Sequence, residues 1–178
     1  MTPQQFSSLL RRRVCVAESD RRPTVLVIDD EPLVRRIVRR ALEPEASVLE
    51  AADGKAGLDL LDRPETRAVD LVVTDFMMPR VGGLEVMAVL NRYRPDVAII
   101  GMTGHADLAL REAAAKYGVR VLQKPFEIGA LLASVREVLA ESRARRGVQG
   151  RRQACAGVRP PPAGLVAAAK ALAIPVKV

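Results

Sequence analysis

The chain has 178 residues, enough for one domain with a buried core and short appendages. Aromatic residues make up only 3% of it, which argues against a stacking platform for single-stranded nucleic acid. The formal charge of +7 is unevenly spread: residues 1–23 hold five arginines against two acids, and residues 141–178 hold eight basic side chains against one acid, so residues 24–140 carry −3 and only the tails favour a nucleic-acid partner.

TVLVI (24–28) is a short unbroken apolar run, the mark of a strand buried on both faces. PLVRRIVRRALE (32–43) places Leu33, Val34, Ile37, Val38, Ala41 and Leu42 at helical spacing, with Pro32 in the first turn where its missing N–H is tolerated. SVLEA (47–51) predicts a second strand, and DGKAGLDLLDR (53–63) a helix capped by Asp53. VDLVVTD (69–75) is a third buried strand, followed by a helix over GGLEVMAVLNRY (82–93). VAIIGMT (97–103) reads as a fourth strand, and ADLALREAAAKYG (106–118) as a helix closed by its glycine. VRVLQK (119–124) and EIGALLASVREVLAESR (127–143) complete a fifth strand and a fifth helix. Strands alternating with helices predict an α/β fold, a parallel sheet with helices on both faces and right-handed crossovers. Five units fit an open doubly wound sheet better than an eight-unit barrel, and such sheets bind ligands beyond the carboxyl ends of their strands.

Chemistry gathers at those ends. The first strand runs into Asp29, Asp30 and Glu31, the third ends in Asp75, the fourth in Thr103 and the fifth in Lys124–Pro125. Each has an ordinary alternative reading. Asp30 and Glu31 suit a helix N-terminus, Asp75 suits a turn, Thr103 before Gly104 suits a helix cap, and Lys124 suits a solvated strand end. The conjunction is far more specific, because it puts carboxylates, a hydroxyl and an ammonium on one edge of the sheet. Two carboxylates about 4 Å apart repel by roughly 4 kcal/mol at an effective dielectric near 20. A hard divalent cation such as Mg2+ relieves that repulsion.

VLVIDDEP, VVTDFMMP, IIGMTGHAD and VLQKPF closely resemble the receiver domain of two-component response regulators, over residues 24–140. The resemblance implies a flavodoxin-like five-stranded sheet in the order 2-1-3-4-5. It implies that Asp75 accepts a phosphoryl group from a histidine of a sensor kinase or phosphotransfer protein. It implies that Asp30 holds Mg2+, with Asp29 close by, Asp75 itself and the backbone carbonyl of Met77 completing the set. Lys124 is expected to pair with phosphoryl oxygens, Thr103 to donate its hydroxyl to the phosphoryl group, and the Lys124–Pro125 bond to be cis. Gly104 leaves access open, and Met77 and His105 stand where relatives vary phosphoryl lifetime. His105 otherwise reads as a rim residue, and Glu31 mainly as a first-turn helix residue. The resemblance implies no enzyme activity beyond the chain's own phosphorylation and slow dephosphorylation. Two positions depart from the family pattern. Val121 replaces the usual switch aromatic, and Gly82–Gly83 stands in the loop after Pro79 where an acid or amide often precedes the glycine.

The division expected is a flexible basic extension (1–23), the receiver (24–140) and a disordered basic, Pro/Ala-rich tail (141–178). That tail is too short for an ordinary DNA-binding output domain. Within it, LVAAAKALAIPVKV (165–178) has the makings of a short helix on a partner. Output is therefore expected through a protein contact at the fourth helix, fifth strand and fifth helix. Cys15 and Cys155 lie one in each tail, with no CxxC and a single histidine, so neither zinc nor a disulfide framework is expected. No apolar run approaches the roughly 18 residues of a membrane span, and the residues after Arg11–Arg13 are too few for a signal peptide. The expected location is the cytoplasm. Three rival functions share parts of this pattern. A flavodoxin-type carrier would meet repulsion between its phosphate and the three acids. A haloacid-dehalogenase-type phosphatase needs a second aspartate where Met77 stands. The alternative function is tail-mediated nucleic-acid binding on a receiver scaffold.

Overall fold

A computed structural model describes residues 21–66, 68–79, 81–104, 108–149 and 164–171. Its elements are β1 (Thr24–Ile28), α1 (Pro32–Leu42), β2 (Ser47–Ala51), α2 (Gly54–Asp62), a 3-10 turn (Pro64–Thr66), β3 (Val69–Asp75), α3 (Gly83–Tyr93), β4 (Ala98–Thr103), α4 (Leu108–Lys116), β5 (Arg120–Gln123), α5 (Ile128–Gln149) and α6 (Leu165–Ala171). The five strands form one parallel sheet in the order β2-β1-β3-β4-β5.

The alternation along the strands divides the core in two. Leu26, Ile28, Val72 and Ile99 point to the face covered by α2 and α3. Val25, Val27, Leu71, Val73 and Ile100 point to the face covered by α1 and α5. Each strand side chain alternates between faces, so a strand buried on both sides must be apolar throughout. Central β3 is buried along all seven residues, whereas edge strands β2 and β5 are only half-buried.

The helix ends follow local chemistry. Pro32 opens α1 after an extended Glu31 that makes no side-chain cap. Asp53 caps α2 by accepting the N–H of Ala56 at 2.8 Å. Glu85 reaches back to accept the N–H of Gly82 at 2.8 Å, closing the start of α3. Helix α4 ends at Lys116, and Gly118, at φ +65°, turns the chain into β5.

The largest difference from the sequence reading lies beyond residue 140. Helix α5 continues to Gln149 instead of giving way to a loose tail. Its polar extension is held from the side: Ser142 is buried, and Arg146 reaches Asp70 at 3.1 Å. Further on, α6 does not project toward a partner but packs on its own chain, with Leu165, Ala168 and Ala169 buried. The basic composition of this stretch conceals the spacing that makes both possible. The remainder of the two tails, residues 1–20, 150–163 and 172–178, with Cys15 and Cys155, lies outside the described residues.

Candidate functional site

Register decides which strand ends meet. Ile28 pairs with Thr74, so Asp29 and Asp75 leave adjacent strands side by side. Asp75 pairs with Met102, and Thr103 pairs with Gln123, which brings the ends of β4 and β5 to the same edge. The Lys124 N–H donates to the Thr103 carbonyl at 2.7 Å, and the Lys124–Pro125 peptide is cis.

Lys124 lies at the centre of the constellation. Its Nζ donates to Asp29 Oδ2 at 2.7 Å and to Asp75 Oδ2 at 2.5 Å, with Glu31 Oε1 further off at 3.9 Å. The other oxygen of Asp75 accepts the Met77 N–H at 2.8 Å, and the other oxygen of Asp29 accepts the Glu31 N–H at 2.8 Å. Each buried carboxylate thus binds the same ammonium and one backbone amide from its own turn. Burial by itself would push the Lys124 pKa down, but the hydrogen bonds to Asp29 and Asp75 outweigh it and raise it above the ordinary lysine value. Burial raises the pKa of Asp29, against the lowering effect of Lys124 and of the Glu31 amide, and the nearby charge of Asp75 adds to the rise.

One ammonium does not balance this much acid. Carboxylate oxygens of Asp29, Asp30 and Asp75 all lie within 4.8 Å of one another. Asp29 is fully buried, Asp75 nearly so, and Asp30 faces solvent. Three hard oxygen donors, one of them open to water, fit a magnesium ion that keeps part of its hydration shell. No soft or imidazole donor belongs to the group.

The sequence-predicted residues assemble unevenly. Asp29, Asp30, Asp75 and Lys124 come together directly. Thr103 is fully buried at the neighbouring strand end. Met77 contributes its amide to Asp75 and turns a half-exposed side chain outward. Glu31 stays on the rim. Val121 is half-buried and packed against the core, so no ring is present there to change position. Among the described residues, a side chain at Gly104 would meet nothing within 4 Å. His105 lies outside the described residues.

Two supporting residues are not evident from the motifs. Arg35, on α1, donates to the Asp29 carbonyl at 2.6 Å and lies 3.7 Å from Glu50 of β2, which ties the acidic turn to the sheet edge. Its only sequence signal is a cation one and a half helical turns after the acids. Gly83 opens α3 so close to β3 that a Cβ would stand 2.2 Å from the Asp75 carbonyl oxygen. Only a residue without a side chain lets the helix start there. The second glycine of Gly82–Gly83 therefore serves close packing.

Comparison with known proteins agrees with this geometry. Residues 25–136 match the family model described as response regulator receiver domain. The chain is 40% identical over 119 residues to response regulator MprA of Mycolicibacterium vanbaalenii, covering 65% of this chain and 49% of that protein. It is 38% identical over 123 residues to transcriptional regulatory protein FixJ of Azorhizobium caulinodans, covering 66% of this chain and 56% of that one. The chain thus spans about half the length of these curated relatives. Among solved structures, a CheY-like response regulator receiver domain protein from Methanospirillum hungatei superposes with a TM-score of 0.64 at 25% identity, covering 69% of this chain and 98% of that one. Among the described residues, no helix is long and apolar enough to cross a membrane.

Proposed function

Because this chain belongs to the family of response regulator receiver domains, we propose that it is the phosphoacceptor of a two-component phosphorelay, modified on Asp75. The observation that carries the reading is the setting of that carboxylate. Lys124 holds one of its oxygens at 2.5 Å, the Met77 amide holds the other at 2.8 Å, and oxygens of Asp29 and Asp30 stand within 4.8 Å.

An Asp75 oxygen attacks the phosphorus of a phosphohistidine on a sensor kinase or phosphotransfer protein. The phosphorus–nitrogen bond breaks, its electron pair leaves with the imidazole, and an acyl phosphate forms on Asp75. Lys124 passes from the carboxylate to the transferred phosphoryl oxygens, and Thr103 donates its hydroxyl to them. Asp30, Asp29, Asp75 and the Met77 carbonyl would hold Mg2+, which neutralises charge shared between phosphoryl group and carboxylates. Positioning and electrostatics supply nearly all the acceleration in such transfers. Catalysis extends only to the chain's own phosphorylation and slow hydrolysis, in the cytoplasm.

Docking of the donor is supported by apolar side chains around the site. Leu33, Met77 and Ile128 are 71%, 56% and 50% exposed, each within four residues of Asp29, Asp75 or Lys124. Output runs through α4, β5 and α5, where Arg111 binds Gln123 and Arg120 pairs with Glu137 and Glu141. Nucleic-acid binding through the tails gains no support from the described parts. Arg21 and Arg146 are engaged with Asp70, Arg145 with Glu141, and Arg22 with the Glu43 carbonyl.

The test is incubation with Mg2+ and a small acyl-phosphate donor, followed by mass spectrometry of the intact chain. A gain of one phosphoryl group that is lost in Asp75→Ala is expected. No gain in the wild type, or an equal gain in the variant, overturns the reading.

A further inference from the structure

Helix α6 lies beyond the family match at residues 25–136, and the chemistry of Asp75 makes no use of it. The helix packs across α2 and α3. Leu165, Ala168 and Ala169 fall on one side of the helix, none more than 5% exposed, and join the buried cluster that contains Leu58, Leu61 and Leu90. The entry to the helix is built specifically. Gly164 has φ +93°, in the left-handed region, and a Cβ there would stand 2.9 Å from Asp62 Oδ2. That same oxygen accepts the Leu165 N–H at 2.7 Å. Asp62 is the last residue of α2, where a carboxylate faces the negative end of its own helix. The Leu165 amide supplies the partner that α2 does not.

The contact leads to the site. Phe76 and Met78, which follow Asp75, belong to the same buried cluster as Leu165 and Ala168. Helix α3 abuts the Asp75 carbonyl through Gly83 at one end and packs against α6 along its side. It is therefore held between the C-terminal helix and the loop after Asp75. A helix of this length is not stable alone. Anchored by one leucine and two alanines, it belongs to the low-stability end of the fold, where local opening is easiest.

We propose that Leu165–Ala171 is a detachable regulatory strap. Docked in cis through the Asp62–Gly164–Leu165 latch, it occupies the apolar groove between α2 and α3 and restrains the loop after Asp75. Undocked, it frees that loop. The docking and the restraint stand independently of what Asp75 does. The regulatory consequence rests on the reading of Asp75 as phosphoacceptor.

The test is hydrogen exchange on the full chain without a phosphodonor, comparing wild type with Gly164→Ala, which strains the latch, and Asp62→Ala, which removes its acceptor. Both variants are expected to speed amide exchange at least fivefold in α2, α3 and residues 76–79, with β1 and α1 unchanged. Unchanged exchange in α2 and α3, or equal acceleration everywhere, overturns the strap. Faster exchange in α2 and α3 without change at 76–79 overturns the restraint. Labelling by a small acyl phosphate is then compared, and at least a twofold change in rate is expected in Asp62→Ala. An unaltered rate overturns the regulatory role. A wild type that takes no label defeats the reading of Asp75 instead, and exchange still decides the strap.

Discussion

Strand β3 carries two buried aspartates, Asp70 near its start and Asp75 at its end, and their surroundings differ in kind. Asp70 is saturated. Its Oδ1 accepts from Arg21 at 2.8 Å and Arg146 at 3.1 Å, and its Oδ2 accepts the Thr24 N–H at 2.9 Å. One carboxylate thus meets two guanidinium groups that hold their charge at any physiological pH. Asp75 shares a single ammonium with Asp29, and Asp30 adds a third carboxylate within reach. At one edge of the sheet the charges are over-compensated and the hydrogen bonds complete, which fastens the residues before β1 and the end of α5 to the sheet. At the other edge negative charge is in excess, a costly arrangement in the absence of a cation. Burial of an acid is common to both, and excess negative charge marks the edge at which a metal and a phosphoryl group are expected.

The two aspartates should therefore fail in opposite ways. Asp75→Ala is expected to abolish phosphoryl labelling while moving unfolding free energy by no more than about 1 kcal/mol, since it also relieves repulsion with Asp29. Asp70→Ala leaves the Thr24 amide without its acceptor and separates Arg21 from Arg146. It should cost about 2 kcal/mol, a value kept low because both arginines can turn to water. Its folded fraction should label at the wild-type rate. Urea titration and intact mass on both variants check this, and a labelling defect in Asp70→Ala at full folding would remove the contrast.

The acidic edge is legible in the sequence because its signals are local. Apolar runs mark β1, β3 and β4, and the residue that ends each run is the one that faces the crevice. Asp53 and Pro32 likewise act on their own helices, within three residues of where they stand. The anchors of the other regions join distant parts of the chain. Arg146 meets Asp70 across 76 positions and the Leu165 amide meets Asp62 across 103, so no short-range period records either contact. The basic composition of the C-terminal stretch misleads further. It suggests a solvated tail, although a single face of Leu165, Ala168 and Ala169 is enough to dock a helix. Even at the site, the family resemblance puts Asp30 foremost as the metal holder, whereas burial and the bond to Lys124 fall to Asp29.

A smaller effect sharpens the meaning of excess charge. Burial holds the Asp29 carboxyl above its ordinary value of 3.8, so the folded state binds that proton more tightly than the unfolded state. The stability this contributes is present below the ordinary value and is lost as pH rises through the folded one, leaving the charged form to be carried at a cost at neutral pH. Asp29→Asn keeps an acceptor for Lys124 and removes the charge. It should stabilise the metal-free protein by about 1 kcal/mol at pH 7 and weaken Mg2+ binding about tenfold or more. Thermal unfolding and Mg2+ titration measure the two sides. A variant that loses stability would mean that the Asp29 charge supports the fold, as that of Asp70 does.

Alkaline titration separates the two edges most finely. The folded Lys124 pKa lies above its ordinary 10.5 because its hydrogen bonds to Asp29 and Asp75 overcome the effect of burial. The stability from this ion pair is thus complete below about 10.5 and is lost as pH rises through the higher folded value. The guanidinium group in general keeps its proton through such a window. The stability difference between wild type and Lys124→Met, on the order of 1 kcal/mol below that window, should shrink steadily above it. The difference between wild type and Asp70→Ala should stay constant. Taking differences between variants cancels the titration of the other lysines and tyrosines, provided their surroundings are unaltered. If both differences fall together, the alkaline loss is a general loosening of the domain. If only the Lys124 difference falls, the alkaline loss is local to the acidic edge, where Asp29 and Asp75 share one ammonium.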